Sequence, residues 1–182
     1  MDFIVRQTGK NDGDIIGLML TAEYAQAGYT VEDIVAMENT PHHPDNMVEK
    51  IIAATNNPEL PTRCWLAIAN QQVAGIITTE DISGGVYVDP AYRQRGIASA
   101  LANVRDQFQR QSGATESVVH IEADNEASLR TFTKIGYRFN EQSASLVQKV
   151  CDAGKPLSSL RDERTGRAAL LVLVRPLLIH QG

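Results

Sequence analysis

The chain has no apolar run approaching the roughly twenty residues that a bilayer-crossing helix needs, so no membrane span is expected. Nor does its start, Met1-Asp2-Phe3, carry the basic stretch followed by an apolar one that marks a signal segment. Cysteine is scarce: Cys64 and Cys151 are the only two, and they form no metal-spaced pair. Two reduced packing thiols are the expectation, with no disulfide and no metal, which predicts a cytoplasmic protein. Positive charge is in deficit, 17 Lys and Arg against 22 Asp and Glu, for a net charge of −5. That balance argues against nucleic-acid binding and mildly favours a cationic amine as partner. Internal repeats and low-complexity segments are absent as well. What remains, 43% hydrophobic and 21% charged residues over 182 positions, suffices for one substantial core, and a single domain over residues 1–182 is expected.

The elements follow in a readable order. Phe3-Ile4-Val5-Arg6 predicts a strand. Asn11 or Asp12 then caps a helix carrying Ile15, Ile16, Met19, Leu20 and Ala22, which Gly28 ends. A second helix over residues 31–37 breaks at Thr40-Pro41-His42-His43-Pro44. Asp45 is expected to cap a third, with Met47, Ile51 and Ala54 on one face. Residues 63–69 and 73–79 read as a hairpin through Asn70-Gln71-Gln72. Farther on, a polar stretch over residues 140–167 is too long for an ordinary loop before a strand at 168–174. Within it, Leu146, Val147 and Val150 predict a helical turn or an extended strand, and residues 161–167 a solvated hairpin tip.

One segment stands apart: Gly85-Val86-Tyr87-Val88-Asp89-Pro90-Ala91-Tyr92-Arg93-Gln94-Arg95-Gly96-Ile97-Ala98. Alternating β-formers predict a short strand, and Pro90 cannot continue the ladder. The following loop opens directly into a helix on which Ile97, Leu101, Val104 and Phe108 share a face, with Gly113 as its stop. Backbone N–H groups, the positive end of a helix dipole and two guanidinium groups thus converge on one point, which suits a phosphate or pyrophosphate. Beyond a strand at 117–121 comes Asn125-Glu126-Ala127-Ser128-Leu129-Arg130-Thr131-Phe132-Thr133-Lys134-Ile135-Gly136-Tyr137. Here Asp124 or Asn125 caps a helix, Leu129, Phe132 and Ile135 line one face, Lys134 suits the C-terminal dipole, and Gly136 ends it.

These two segments, in this order, resemble the signatures of the GNAT superfamily of acyl-CoA-dependent N-acetyltransferases. The resemblance covers roughly residues 85–139 and implies an α+β, three-layer α/β/α fold. Its central sheet would be mixed but largely antiparallel, of about six to seven strands, with helices on both faces. It further implies acetyl-CoA as co-substrate, lying where the strands at 86–88 and 117–121 splay apart. Val86, Tyr87 and Val88 would then meet the pantetheine and thioester, and Arg93, Gln94, Arg95, Gly96, Ile97 and Ala98 the pyrophosphate. Asn125 and Ser128, with Phe132 farther along the same helix, would complete the cofactor set. The acceptor implied is a primary amine, a small molecule in preference to a protein. Edge strands of such domains often pair, so a homodimer is also an expectation.

The chemistry asks for a base. An amine of pKa about 10.4 must lose a proton before it attacks a thioester, which costs about 4–5 kcal/mol at neutral pH. Glu80 and Asp81 stand first by position, and Glu122 and His120, at the end of the 117–121 strand, come next. His42 and His43 either border the acceptor pocket or simply form a polar loop. Where many family members carry a Tyr that protonates the leaving thiolate, this chain has Phe132. A thiol of pKa about 8.5 leaves unprotonated for only about 2 kcal/mol, so the change bears on the acid and not on the co-substrate. The alternative is an acyl-CoA-binding regulatory or vestigial member with little turnover. An unrelated nucleotide-binding domain is disfavoured, because the loop follows a proline turn and no acidic ribose ligand stands out about 20 residues on.

Overall fold

Helix caps and turns lie mostly where short-range chemistry puts them in the computed structural model, which describes residues 2–57, 59–60, 62–79 and 86–177. The chain forms two compact units, residues 1–105 and 106–182. The first holds strands β1 (Phe3–Gln7), β2 (Cys64–Ala69), β3 (Gln72–Thr78) and β4 (Val86–Val88), in that spatial order and all antiparallel. Helices α1 (Gly13–Gln26), α2 (Val31–Ala36) and α3 (Pro44–Asn56) come between β1 and β2, and α4 (Ile97–Gln111) follows β4. Asn70 and Gln71 make the tight β2–β3 turn with φ of 51° and 63°, the backbone that a two-residue hairpin demands.

Because side chains alternate across a strand, β2, β3 and β4 each present two faces. Cys64, Leu66, Ile76 and Tyr87 point to one face and pack with Ile16 and Leu20 of α1 and Met47 and Ile51 of α3. Gly75 belongs to the other face, where Ile97 and Leu101 of α4 come closest. Helices therefore cover both faces of this sheet. A Cβ at Gly75 would stand 2.7 Å from the Tyr87 carbonyl oxygen and 3.3 Å from both Ile97 Cγ2 and Leu101 Cδ1. That oxygen cannot yield without opening the β3–β4 ladder. Gly75→Ala is accordingly expected to cost about 3 kcal/mol of stability. A lowered denaturant midpoint at unchanged slope is the expected reading, and a midpoint equal to wild type would refute this packing.

Two capping expectations are corrected. Asp12 does precede α1, but its carboxylate makes no bond to the helix. It accepts instead from both Arg6 guanidinium nitrogens, at 2.7 and 2.8 Å, and from the Gly9 amide at 2.6 Å. The Arg6 bonds hold the Asp12 carboxyl below the usual carboxylate range. Asp45 does not cap α3. Pro44 occupies the first helical turn, so His43 becomes the cap and its Nδ1 accepts the Asp45 amide at 3.3 Å. Tyr24, on α1, donates its hydroxyl to the His42 carbonyl, and burial pushes that phenol up to about 12. His43 thus serves the architecture of this corner. The α2 boundary is sharpened by a capping box between Thr30 and Asp33.

The second unit contains β5 (Glu116–Glu122), β6 (Arg138–Phe139) and β7 (Leu170–Pro176), ordered β5-β7-β6 and antiparallel. Its helices are α5 (Glu126–Lys134) and α6 (Glu141–Asp152). The described residues thus make seven strands in two sheets, within the expected range. A buried polar chain crosses this unit: the Tyr137 hydroxyl donates to Asp106 at 2.6 Å and lies 2.7 Å from Ser117 Oγ. Arg175 pairs with the other Asp106 oxygen at 3.0 Å. The Phe132 ring meets Tyr137 edge-on at 5.1 Å.

Residues 140–167 are far from structureless. Asn140 caps α6 by accepting the Ser143 amide at 2.9 Å, a 3-10 turn follows at Leu157–Ser159, and an Arg161–Ala168 bridge closes the expected hairpin. Asp162 shapes its tip by accepting the Arg164 and Thr165 amides at 3.0 and 2.9 Å. Both cysteines are free, but only Cys64 is packed. Burial pushes its thiol up, so it stays protonated, whereas Cys151 is a surface thiol. Among the described residues no helix is long and apolar enough to cross a membrane.

Candidate active site

One group of candidate residues, in the first unit, begins at the β4 edge. The Asp89 amide donates to the Ala74 carbonyl at 3.0 Å, and Tyr87 is opposite Ile76. In an antiparallel ladder of that register, Tyr87 exchanges its backbone bonds with Ile76, while the Val88 N–H and C=O turn away from β3. Tyr87 puts its side chain in the core; Val86 and Val88 are half-buried. Asp89 then accepts the Ala91 amide at 2.8 Å and caps the 3-10 turn Pro90–Tyr92. The Tyr92 hydroxyl donates to Gln72 Oε1 at 2.7 Å, which ties the turn to the β2–β3 hairpin.

The loop that follows depends on an unusual backbone. Gln94 has φ +61° and Gly96 φ +81°, the left-handed region in which glycine alone is unstrained. Nothing lies within 4 Å of a Cβ built on Gly96. The Gly96 carbonyl accepts the Ala100 amide at 3.0 Å. The Ile97, Ala98 and Ser99 amides open α4 with no side-chain cap, since glycine has none to give. Arg95 lies with its guanidinium 5.7 Å from the Tyr92 ring centre. Arg93 turns back, donating from Nε to the Val88 carbonyl at 3.0 Å and from Nη2 to Gln26 Oε1 at 2.5 Å. The positive end of a 15-residue helix that starts after a glycine with an open Cβ direction fits a phosphate group.

A separate group of candidate residues, in the second unit, lies on β5 and α5. Alternation sends Ser117, Val119 and Ile121 into the core and leaves Val118, His120 and Glu122 together on the opposite face, half-buried. Burial pushes the Glu122 carboxyl above the usual range, the charge of Asp124 adds to this, and Arg167 opposes both. Asp124 in turn has Arg161 at 3.7 Å. Asn125 caps α5 by accepting the Ser128 amide at 3.1 Å. Phe132 is fully buried, so its ring is a core group here. Tyr137 is likewise buried, with its hydroxyl engaged. Glu80 and Asp81 lie outside the described residues. Among those described, no cluster of His, Cys, Asp and Glu is arranged to hold a metal ion.

Residues 93–98 thus gather around one helix start beside Val88, and His120 and Glu122 share one strand face. Gln26 and Gln72, which brace the loop, and the arginines of the 161–167 hairpin were not part of the expected site. Only the hairpin had a local signal, its run of turn-forming polar residues.

An α/β protein with an open, glycine-led helix start after its fourth strand is the class these features define. The sequence profile of the acetyltransferase (GNAT) family matches residues 28–137, more than half of the chain, and the chain belongs to that family. Solved structures share its fold. YncA of Salmonella typhimurium, solved with acetyl-CoA, superposes with a TM-score of 0.65 at 18% identity, over 100% of this chain and 98% of its own. PaiA N-acetyltransferase of Thermoplasma acidophilum, solved with coenzyme A, gives 0.63 at 14% identity, over 97% and 99%. An N-acetyltransferase of Staphylococcus aureus gives 0.64 at 17% identity, over 98% and 100%. No curated protein sequence matches significantly.

Proposed function

We propose that this chain transfers the acetyl group of acetyl-CoA to a primary amine, a small molecule in preference to a protein. The observation that carries the reading is the helix start at Gly96, with its positive φ, its open Cβ direction and the uncapped amides behind it. Bound there, acetyl-CoA supplies the activated thioester. The amides of residues 94–98 meet the pyrophosphate, and Arg95 adds charge. The outward Val88 N–H is the natural donor to the pantetheine arm, and the family pattern assigns Asn125 and Ser128 to the same arm. Glu122 takes the proton of the attacking amine, with His120 on the same strand face. Family membership and neighbours solved with coenzyme A or acetyl-CoA support this reading.

One observation favours the rival, a member that binds acyl-CoA without turnover: Phe132, where the family's acid would stand, is buried and has no proton to give. Calorimetric titration with acetyl-CoA, with NADH as control, tests the shared premise. Saturable binding of acetyl-CoA alone is expected, and no binding would end both readings. Amine-dependent release of CoA, followed with a thiol reagent across an amine panel, then separates transfer from binding alone.

A further inference from the structure

Arg93 heads the phosphate-loop pattern, and charge alone would place it on the anion. Its bonds run the other way. Its Nε donates to the Val88 carbonyl, and its Nη2 donates to Gln26, the last residue of α1, 67 positions earlier. A planar guanidinium has fixed donor directions, so two such contacts orient the whole side chain. The loop needs this support, because Gln94 and Gly96 hold left-handed backbone that a free chain seldom keeps. Asp89 and the Tyr92–Gln72 bond brace it at the β4 and hairpin side.

We infer that Gln26 and Arg93 form a strut that keeps the phosphate loop in its binding conformation. Gln26 is then a positioning residue for the co-substrate, and Arg93 acts through the backbone instead of on the phosphate. The inference rests on the acyl-CoA reading above.

The test is titration with acetyl-CoA at several ionic strengths, on wild type, Gln26→Ala, Gln26→Glu and Arg93→Gln. Gln26 is exposed, so its variants are expected to melt with wild type. Gln26→Ala should weaken acetyl-CoA about threefold to tenfold. Gln26→Glu, which offers Arg93 a carboxylate, should stay within about twofold of wild type. Arg93→Gln should weaken binding while keeping the wild-type salt dependence, since no charge has left the phosphate's contacts. The strut is overturned if Gln26→Ala binds as well as wild type or better, or if Arg93→Gln flattens the salt dependence, which marks a direct phosphate contact. Wild type that binds no acetyl-CoA at any ionic strength overturns the parent reading, and the strut falls with it.

Discussion

Gly96→Glu is expected to abolish measurable acetyl-CoA binding, a loss of more than about 100-fold, while the protein stays folded. Two effects combine. An L residue at φ +81° is strained, by an amount on the order of 1–2 kcal/mol. More important, its side chain enters the open space in front of the α4 amides and brings a negative charge to where the phosphates are to lie. Because nothing occupies that space within 4 Å, the substitution crowds no core group. The expected record is a flat calorimetric trace beside a melting temperature within a few degrees of wild type. Undiminished affinity would remove the phosphate loop from the function.

Glu122→Gln is expected to lower kcat by about 10²–10⁴-fold, the usual worth of a general base, with little change in acetyl-CoA affinity. The pH dependence follows from its surroundings. Burial and the charge of Asp124 favour the protonated form, and Arg167 opposes them in part. His120, two residues earlier, shares the strand face, and Arg161 holds Asp124 at 3.7 Å. The wild-type rate should therefore fall on the acid side at a pH above the ordinary carboxylate range, and this limb should vanish in the variant. The stability sign is opposite. A carboxyl raised by folding binds its proton more tightly in the native state, so its contribution is lost as pH rises through the raised value. Glu122→Gln, which never ionises, should gain stability relative to wild type across that window. An acid limb unchanged in Glu122→Gln would mean that another group is the base.

Much of the candidate phosphate loop was legible because it is contiguous. The Pro90 turn, the Arg93–Ala98 loop and the start of α4 depend on neighbours along the chain, and local sterics govern φ at Gly96. The Asn125 cap and Gly136 stop of α5 are equally local. Helix α6 was not legible, because Leu146, Val147 and Val150 are only half-buried and serve a turn of helix or a strand equally well. His43 displaced Asp45 as the α3 cap because Pro44, fixed in φ, already belongs to the first turn.

The sequence alone determined the family, the local form of the 93–98 loop and the order of most elements up to α5, because each is written in spacings of a few residues that backbone geometry reads directly. Tertiary structure decided what the side chains of that loop do. Arg93 is a cation in the sequence and a brace in the fold, since only folding brings Gln26 and Val88 within hydrogen-bonding reach. Glu122 is one carboxylate among many until the 161–167 hairpin returns beside it, and its affinity for a proton depends on burial and on charges remote along the chain.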